Sequence, residues 1–174
     1  MTDYKKADAV QALHALAQLS DLLQACVAEG ASIGFTDPQN RQAIEDFWHT
    51  RAASLIDGES ELMLACQQER VVGTVMMTVA TMPNGRHRAE IGKLLVHPHA
   101  RRQGIARELM LRAERRARAL GKTLLVLDTR SGDVASQLYL SLGWQIAGSI
   151  PDYAESIKGE LEATTVMFKL LTAN

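Results

Sequence analysis

Residues 101–106, Arg-Arg-Gln-Gly-Ile-Ala, constrain this chain more than any other segment. They separate an apolar run, Lys93-Leu94-Leu95-Val96-His97-Pro98, from a long amphipathic stretch over 105–120. That order predicts a strand, a tight basic loop and a helix. The first backbone N–H groups of a helix have no partner inside it, and the helix dipole adds partial positive charge at the same place. A loop of small residues that aims several N–H groups at one point binds phosphate. The chain is therefore expected to hold a phosphate-bearing cofactor.

At 174 residues the sequence reads as one domain, 1–174, long enough to bury a substantial core. Its net charge of −1 argues against a protein whose main work is wrapping nucleic acid, since such domains are strongly basic. The two cysteines, Cys26 and Cys66, stand in apolar surroundings without a CxxC pair or zinc spacing. Reduced, buried thiols are expected. The apolar positions of 7–23 are interrupted by Gln11, His14, Gln18, Ser20 and Asp21, so no signal peptide is expected there. No run of eighteen apolar residues exists, so neither a membrane span nor a membrane partner is expected, and the reading is cytoplasmic.

Apolar residues at three- and four-residue steps predict a first helix over 7–29, ended by Gly30. The loop 31–35, Ala-Ser-Ile-Gly-Phe, is unusually apolar. Asp37-Pro38 predicts the cap and first turn of a second helix running to about Leu55. Strands are then predicted over 61–67, 71–81 and 89–96, an antiparallel meander with turn chemistry at Pro83-Asn84-Gly85. The helix 105–120 follows, then a short apolar strand 124–127 suited to a buried parallel position. A helix over 133–142 and strands over 144–150 and 164–170 complete the chain. The class is mixed α/β on one central sheet.

Two segments carry a family resemblance. Arg101-x-x-Gly104-x-Ala106, with its lead-in Leu94-Leu95-Val96-His97-Pro98, resembles the acetyl-CoA pyrophosphate loop of GCN5-related N-acetyltransferases, the GNAT superfamily. The segment 134–144, Val-Ala-Ser-Gln-Leu-Tyr-Leu-Ser-Leu-Gly-Trp, resembles the A-x-x-L-Y-x-x-x-G-[F/W] signature of the same superfamily. Shorter segments, among them 30–35, 83–85, 88–90, 127–129 and 168–169, are similar to the tabtoxin resistance protein subgroup, which acetylates the amine of a small β-lactam toxin. The resemblance implies the GNAT fold: a mixed central sheet of about six to seven strands flanked by about four helices. It implies acetyl-CoA as co-substrate and direct attack by an amine in a ternary complex. Family members are often homodimers.

Carried onto this sequence, the resemblance assigns the pyrophosphate to the backbone of Arg102, Gln103, Gly104, Ile105 and Ala106, with charge from Arg101 and Arg102. Leu94, Leu95 and Val96 would hold the pantetheine arm in the manner of an added strand, with the Val96 or Leu95 amide facing the acetyl carbonyl. Tyr139 matches the family's general acid near the cofactor sulfur. Where the family often has Asn, seven residues before this tyrosine, this chain has Gly132.

The base is read from the residues. Glu90 stands in an otherwise apolar strand, on the face of Gly92, Leu94 and Val96 if that strand is regular. Asp128 ends the 124–127 strand, at the carboxyl end where open α/β sheets place ligands. A strand-surface ion pair with Lys93 or Arg88 is the plain alternative for Glu90, and a turn or cap role for Asp128. Ile33, Gly34 and Phe35, with Tyr153, are expected to shape the acceptor pocket; simple packing is the alternative for Phe35. His97 and His99 flank Pro98 without a third ligand nearby, so no metal is expected. Arg107, Arg112, Arg115, Arg116 and Arg118, interleaved with Glu108 and Glu114, read as a solvated helix face. The expected acceptor is a small-molecule amine, a toxin or antibiotic among the candidates. A protein N-terminus or lysine is the alternative within the fold, and a catalytically silent acyl-CoA-binding sensor the alternative outside it.

Overall fold

The computed structural model describes residues 1–172. Its strands are β1 (Asp3–Ala7), β2 (Ser60–Gln67), β3 (Arg70–Val79), β4 (Arg88–Val96), β5 (Leu124–Arg130), β6 (Gln145–Glu155) and β7 (Leu161–Leu170). Its helices are α1 (Ala9–His14), α2 (Leu16–Ala28), α3 (Arg41–Ile56), α4 (Ile105–Ala119) and α5 (Val134–Ser141). The strands form one seven-stranded sheet in the order β1-β2-β3-β4-β5-β7-β6. Among the described residues only the β4–β5 pair is parallel.

Helices α1, α2 and α3 bury Leu19, Leu23, Ile44 and Trp48 against one face of β2–β4. Helix α4 buries Ile105, Leu109 and Met110 against the other face, beside Tyr139 of α5. Gly73 of β3 lets α4 lie this close. A Cβ there would stand 3.1 Å from Ile105 Cγ2, 3.2 Å from Leu109 Cδ1 and 3.1 Å from the Leu95 carbonyl. The start of α4, and with it the basic loop, is thus held against the β3–β4 pair.

The structure corrects four expectations. Strand β1 lies almost wholly ahead of the first expected element: four of its five residues are not buried, and it forms by backbone pairing to the edge of β2. The helix expected over 7–29 is two helices that meet at Ala15, the first started by a reciprocal cap in which Asp8 accepts from the Gln11 amide at 2.8 Å and Gln11 accepts from the Asp8 amide at 3.0 Å. This split makes five helices rather than about four. Helix α3 starts after Asn40, whose side chain accepts from the Ala43 amide at 3.2 Å, while Asp37 serves a turn by accepting from the Gln39 amide at 2.8 Å. The last hairpin is longer than expected, because Ala154 and Glu155 pair with Glu162 and Leu161 across a β-bulge.

Candidate active site

Strands β4 and β5 pair at three positions only, Arg88 with Leu124, Ala89 with Leu125 and Glu90 with Val126. Beyond them β4 stays on β3 up to Val96 and β5 stays on β7 up to Arg130, so the two strands part and leave a wedge. A bulge in β4 shapes its near side. The β3–β4 register shifts between Thr74 and Met76, and Lys93 adopts a left-handed φ of 49°. The Lys93 carbonyl accepts from the buried Thr74 hydroxyl at 2.8 Å.

The bulge also changes which residues share a face. Ala89 and Ile91 pack on the α4 side, and regular alternation would send Leu95 there too; instead Leu95 packs on the α2 side, while Leu94 and Val96 meet the α4 core. Glu90 and Val96 therefore do not share the face that a regular strand predicts. The His97 amide donates to the Val72 carbonyl of β3 at 2.8 Å. In an antiparallel ladder the neighbouring residue then turns its N–H and C=O the other way. For Val96 that direction is the wedge.

The basic loop follows the end of β4, on the side where the wedge is open. Arg102 and Gly104 are both left-handed, with φ of 60° and 77°, a conformation that curls backbone N–H groups into a concavity for anions. The first backbone bond into α4 runs from the Glu108 amide to the Gly104 carbonyl at 3.0 Å. The amides of Ile105, Ala106 and Arg107 thus precede any carbonyl of their own helix.

A cleft of about 800 Å³ opens along the wedge. Glu90, Asp128 and Tyr139 all line it, so the three candidate catalytic side chains share one space. Of the residues that the resemblance assigns to the cofactor, Leu94, Leu95, Val96, Arg101, Arg102 and Ala106 line it. Ile33, Gly34 and Tyr153, expected at the acceptor, line it as well. Phe35 does not face the cleft; it packs edge-on against Phe47 at 5.5 Å. Gln103, Gly104 and Ile105 also stand outside the lining: Ile105 is buried in the core, and the Gln103 side chain accepts from Gln67 Nε2 at 2.8 Å. A smaller groove of about 350 Å³, under Tyr4 and Arg112, contains none of these residues.

Tyr139 is 7% exposed, and burial, with Asp133 and Asp128 nearby, pushes its hydroxyl up to about 12. The Asp128 carboxylate accepts from the Thr164 hydroxyl at 2.9 Å. Glu90 is exposed to the cleft. Among the described residues no group of three His, Cys, Asp or Glu is placed to hold a metal, and no helix is long and apolar enough to cross a membrane.

Three residues that line the cleft, Lys93, Arg130 and Cys26, and one behind it, Thr74, were not read from the sequence as site residues. Lys93 donates to the Ile33 carbonyl at 3.2 Å and lies 5.3 Å from the Phe47 ring. Burial and Arg51 lower its ammonium below the usual lysine range, against the opposing pull of Asp128 and Glu90. Arg130 donates to the Gly30 carbonyl at 2.9 Å and lies 3.5 Å from Glu162. The Cys26 thiol donates to the Val96 carbonyl at 3.6 Å. Thr74 supports the bulge. A lysine inside an apolar strand was the available signal for Lys93; Arg130, Cys26 and Thr74 carry none.

The sequence model of the acetyltransferase (GNAT) family matches residues 18–144. N-acetyltransferase 8B of Rattus norvegicus is 38% identical over 96 residues, which cover 54% of this chain and 43% of that protein. The match thus spans less than half of that relative's length. An acetyltransferase of the GNAT family from Streptococcus pneumoniae superposes with a TM-score of 0.78 at 21% identity, covering 98% of this chain and 100% of that one. The structure of yncA from Salmonella typhimurium with its cofactor acetyl-CoA superposes with a TM-score of 0.78 at 20% identity, covering 100% and 96%. These structural likenesses concern the fold; the family match spans most of the chain and includes the wedge, the basic loop and Tyr139. The chain belongs to the GNAT family of acetyltransferases.

Proposed function

We propose that this protein transfers an acetyl group from acetyl-CoA to a primary amine of a small molecule by direct attack in a ternary complex. The observation that carries this reading is the parting of β4 and β5 after Glu90 and Val126, with Glu90, Asp128 and Tyr139 around one cleft. The residues fit acetyl-CoA. The left-handed turns at Arg102 and Gly104 and the free first amides of α4 suit a pyrophosphate, and Arg101 and Arg102 add charge. Val96 offers a strand edge, pointed into the wedge, for an amide-bearing arm. Leu94 and Leu95 wall that edge.

Acetyl-CoA supplies an acyl group activated as a thioester. The protein's own residues do the rest. An amine near pKa 10.4 is protonated at neutral pH, and freeing its lone pair costs about 3.4 units, roughly 4.6 kcal/mol. Glu90 and Asp128 hold the ammonium and take its proton, directly or through water. The Val96 amide stabilises charge on the acyl oxygen. Tyr139 donates a hydrogen bond toward the sulfur.

The apolar loop 31–35 closes the acceptor end, which favours a small acceptor over an extended peptide groove. The likeness of short segments to the tabtoxin resistance subgroup supports a toxin or antibiotic amine. Two free, buried cysteines fit a reducing, cytoplasmic setting. Edge strand β6 exposes Ile146 and Ile150, an apolar surface that suits a homodimer. The test is a library of primary amines scored by thiol release from acetyl-CoA, with calorimetry for acetyl-CoA itself. Turnover of small amines supports the reading; turnover of peptides alone replaces it. Acetyl-CoA binding with no turnover across both sets would leave a binding module.

A further inference from the structure

We infer that Lys93 is a positioning residue for the acceptor: it fastens the loop over the cleft and ties that loop's place to the same backbone bulge that opens the cofactor edge. This rests on the acetyltransferase reading above and deepens it.

The loop between α2 and α3 needs fastening. Its start is tied to the end of α2 by the Gly30 amide on the Val27 carbonyl at 2.9 Å and the Ala31 amide on the Cys26 carbonyl at 3.0 Å. Arg130, from the far side of the wedge, holds the Gly30 carbonyl at 2.9 Å and is itself flanked by Glu162 at 3.5 Å and Asp133 at 3.7 Å. The next ties are the turn at Asp37 and the Gln24 side chain on the Pro38 carbonyl at 2.8 Å. Among the described residues, the polar contact made by residues 32–36 is that of the Ile33 carbonyl with Lys93 Nζ, at 3.2 Å.

Lys93 reaches that carbonyl because of the bulge. A regular strand would alternate its side chains on both sides of Gly92 and Leu94; the left-handed φ of 49° at Lys93 breaks the alternation. The lysine stem then crosses under the loop. Its ammonium lies 5.3 Å from the Phe47 ring, and Phe47 in turn meets Phe35 edge-on at 5.5 Å. A Cβ at Gly34 would stand 3.9 Å from Lys93 Nζ. One side chain therefore holds the loop through a carbonyl, stands beside Gly34 and, by way of Phe47, reaches Phe35.

Lys93 also faces the chemistry. It lines the same cleft as Glu90 and Asp128, and both carboxylates act electrostatically on its ammonium. With Lys93 present one cation stands against two carboxylates, and an incoming ammonium supplies the second. Moving the loop away removes the acceptor wall; removing the cation changes the charge beside the base. Both effects fall on the acceptor and leave the pyrophosphate loop untouched.

The experiment compares the full chain with Lys93→Met, which keeps the stem and deletes the donor, and with Lys93→Arg, which keeps a donor. Hydrogen exchange of residues 30–36, read by mass spectrometry without any ligand, is expected to accelerate at least tenfold in Lys93→Met and to return within threefold of the parent in Lys93→Arg. Methylamine, n-butylamine and benzylamine serve as probes for turnover. For whichever is acetylated by the parent, Lys93→Met is expected to raise the amine KM at least tenfold, with the acetyl-CoA dissociation constant within twofold by calorimetry. Unchanged exchange at 30–36 in Lys93→Met, or a fall in kcat with both KM values intact, overturns the assignment. Lys93→Leu is the second variant should Lys93→Met not fold, with the same faster exchange of 30–36 expected, and unchanged exchange there overturning the assignment. Loss of acetyl-CoA binding by the parent itself would instead overturn the acetyltransferase reading, which the exchange data do not depend on.

Discussion

Replacing Tyr139 by phenylalanine separates two ways in which a tyrosine can help a thiolate leave. Burial, together with Asp133 and Asp128, holds the Tyr139 hydroxyl at about 12. A thiol ordinarily titrates near 8.5. Full transfer of the tyrosine proton to a thiolate is then uphill by about 3.5 units, roughly 4.8 kcal/mol. In the proposed reaction the proton stays on Tyr139, and the residue would work by donating a hydrogen bond to a charged acceptor. Such a bond contributes about 1.5–3 kcal/mol. Tyr139→Phe should therefore lower kcat roughly 10- to 160-fold with little change in acetyl-CoA affinity. The assay is thiol release from acetyl-CoA between pH 6 and 10.5 with a saturating amine. The parent should show no basic limb that belongs to Tyr139, since the group stays protonated throughout that range. A loss below about threefold, or a basic limb under pH 10 that vanishes in Tyr139→Phe, would refute the reasoning.

Tyr139 also predicts how the fold responds to alkali: its pKa is raised on folding, so its contribution is complete below about pH 10 and is lost on rising through about 12, a span worth about 2.7 kcal/mol. Urea midpoints across pH 9–12 should fall more steeply in the parent than in Tyr139→Phe. In acid the signs reverse. Glu61 is held below the ordinary carboxyl range by the bidentate Arg116 contact at 2.7 Å; at Glu114 burial acts upward, but hydrogen bonds from Lys169 and Arg118 outweigh it. Their contribution is present above about pH 4.5 and lost as pH falls below it, so Glu61→Gln with Glu114→Gln should flatten the acid side of a Tm–pH curve. Thr74→Val leaves the Lys93 carbonyl without its hydroxyl donor, and an unfolding free energy lower by about 1–3 kcal/mol is expected in urea titration. Gly104→Ala places a Cβ where no atom lies within 4 Å, so its cost is the left-handed backbone, about 1–2 kcal/mol, read by calorimetry as roughly 5- to 30-fold weaker acetyl-CoA binding.

Most of the architecture was legible in the sequence because it rests on local signals. The strand–loop–helix around Arg101–Ala106 is marked by an apolar run, a glycine and an amphipathic period, and each signal survives in the structure. Strand β1 was not legible, since a short strand with little buried surface forms only where a partner edge exists. The break at Ala15 was hidden because both helices continue one apolar pattern across it. Site residues divide the same way. Gly104 and Tyr139 announced themselves by motif, and Glu90 by a charge in an apolar strand. Arg130 and Thr74 announced nothing, since their partners are a carbonyl 100 residues away and a bulge carbonyl 19 residues away.

By itself, then, the sequence determined most of the elements and their order, and offered a list of groups proposed to hold the cofactor and carry the chemistry. Only the tertiary structure decided which of those groups share a space. Strand parity was the deciding quantity. One left-handed residue at Lys93 reverses the faces of the rest of β4, parts Glu90 from Val96 and brings a lysine to the Ile33 carbonyl of the loop 31–35. A two-residue period carries no mark of where it will slip, because the slip is set by pairing to β3 and by the Thr74 hydroxyl that satisfies the displaced carbonyl.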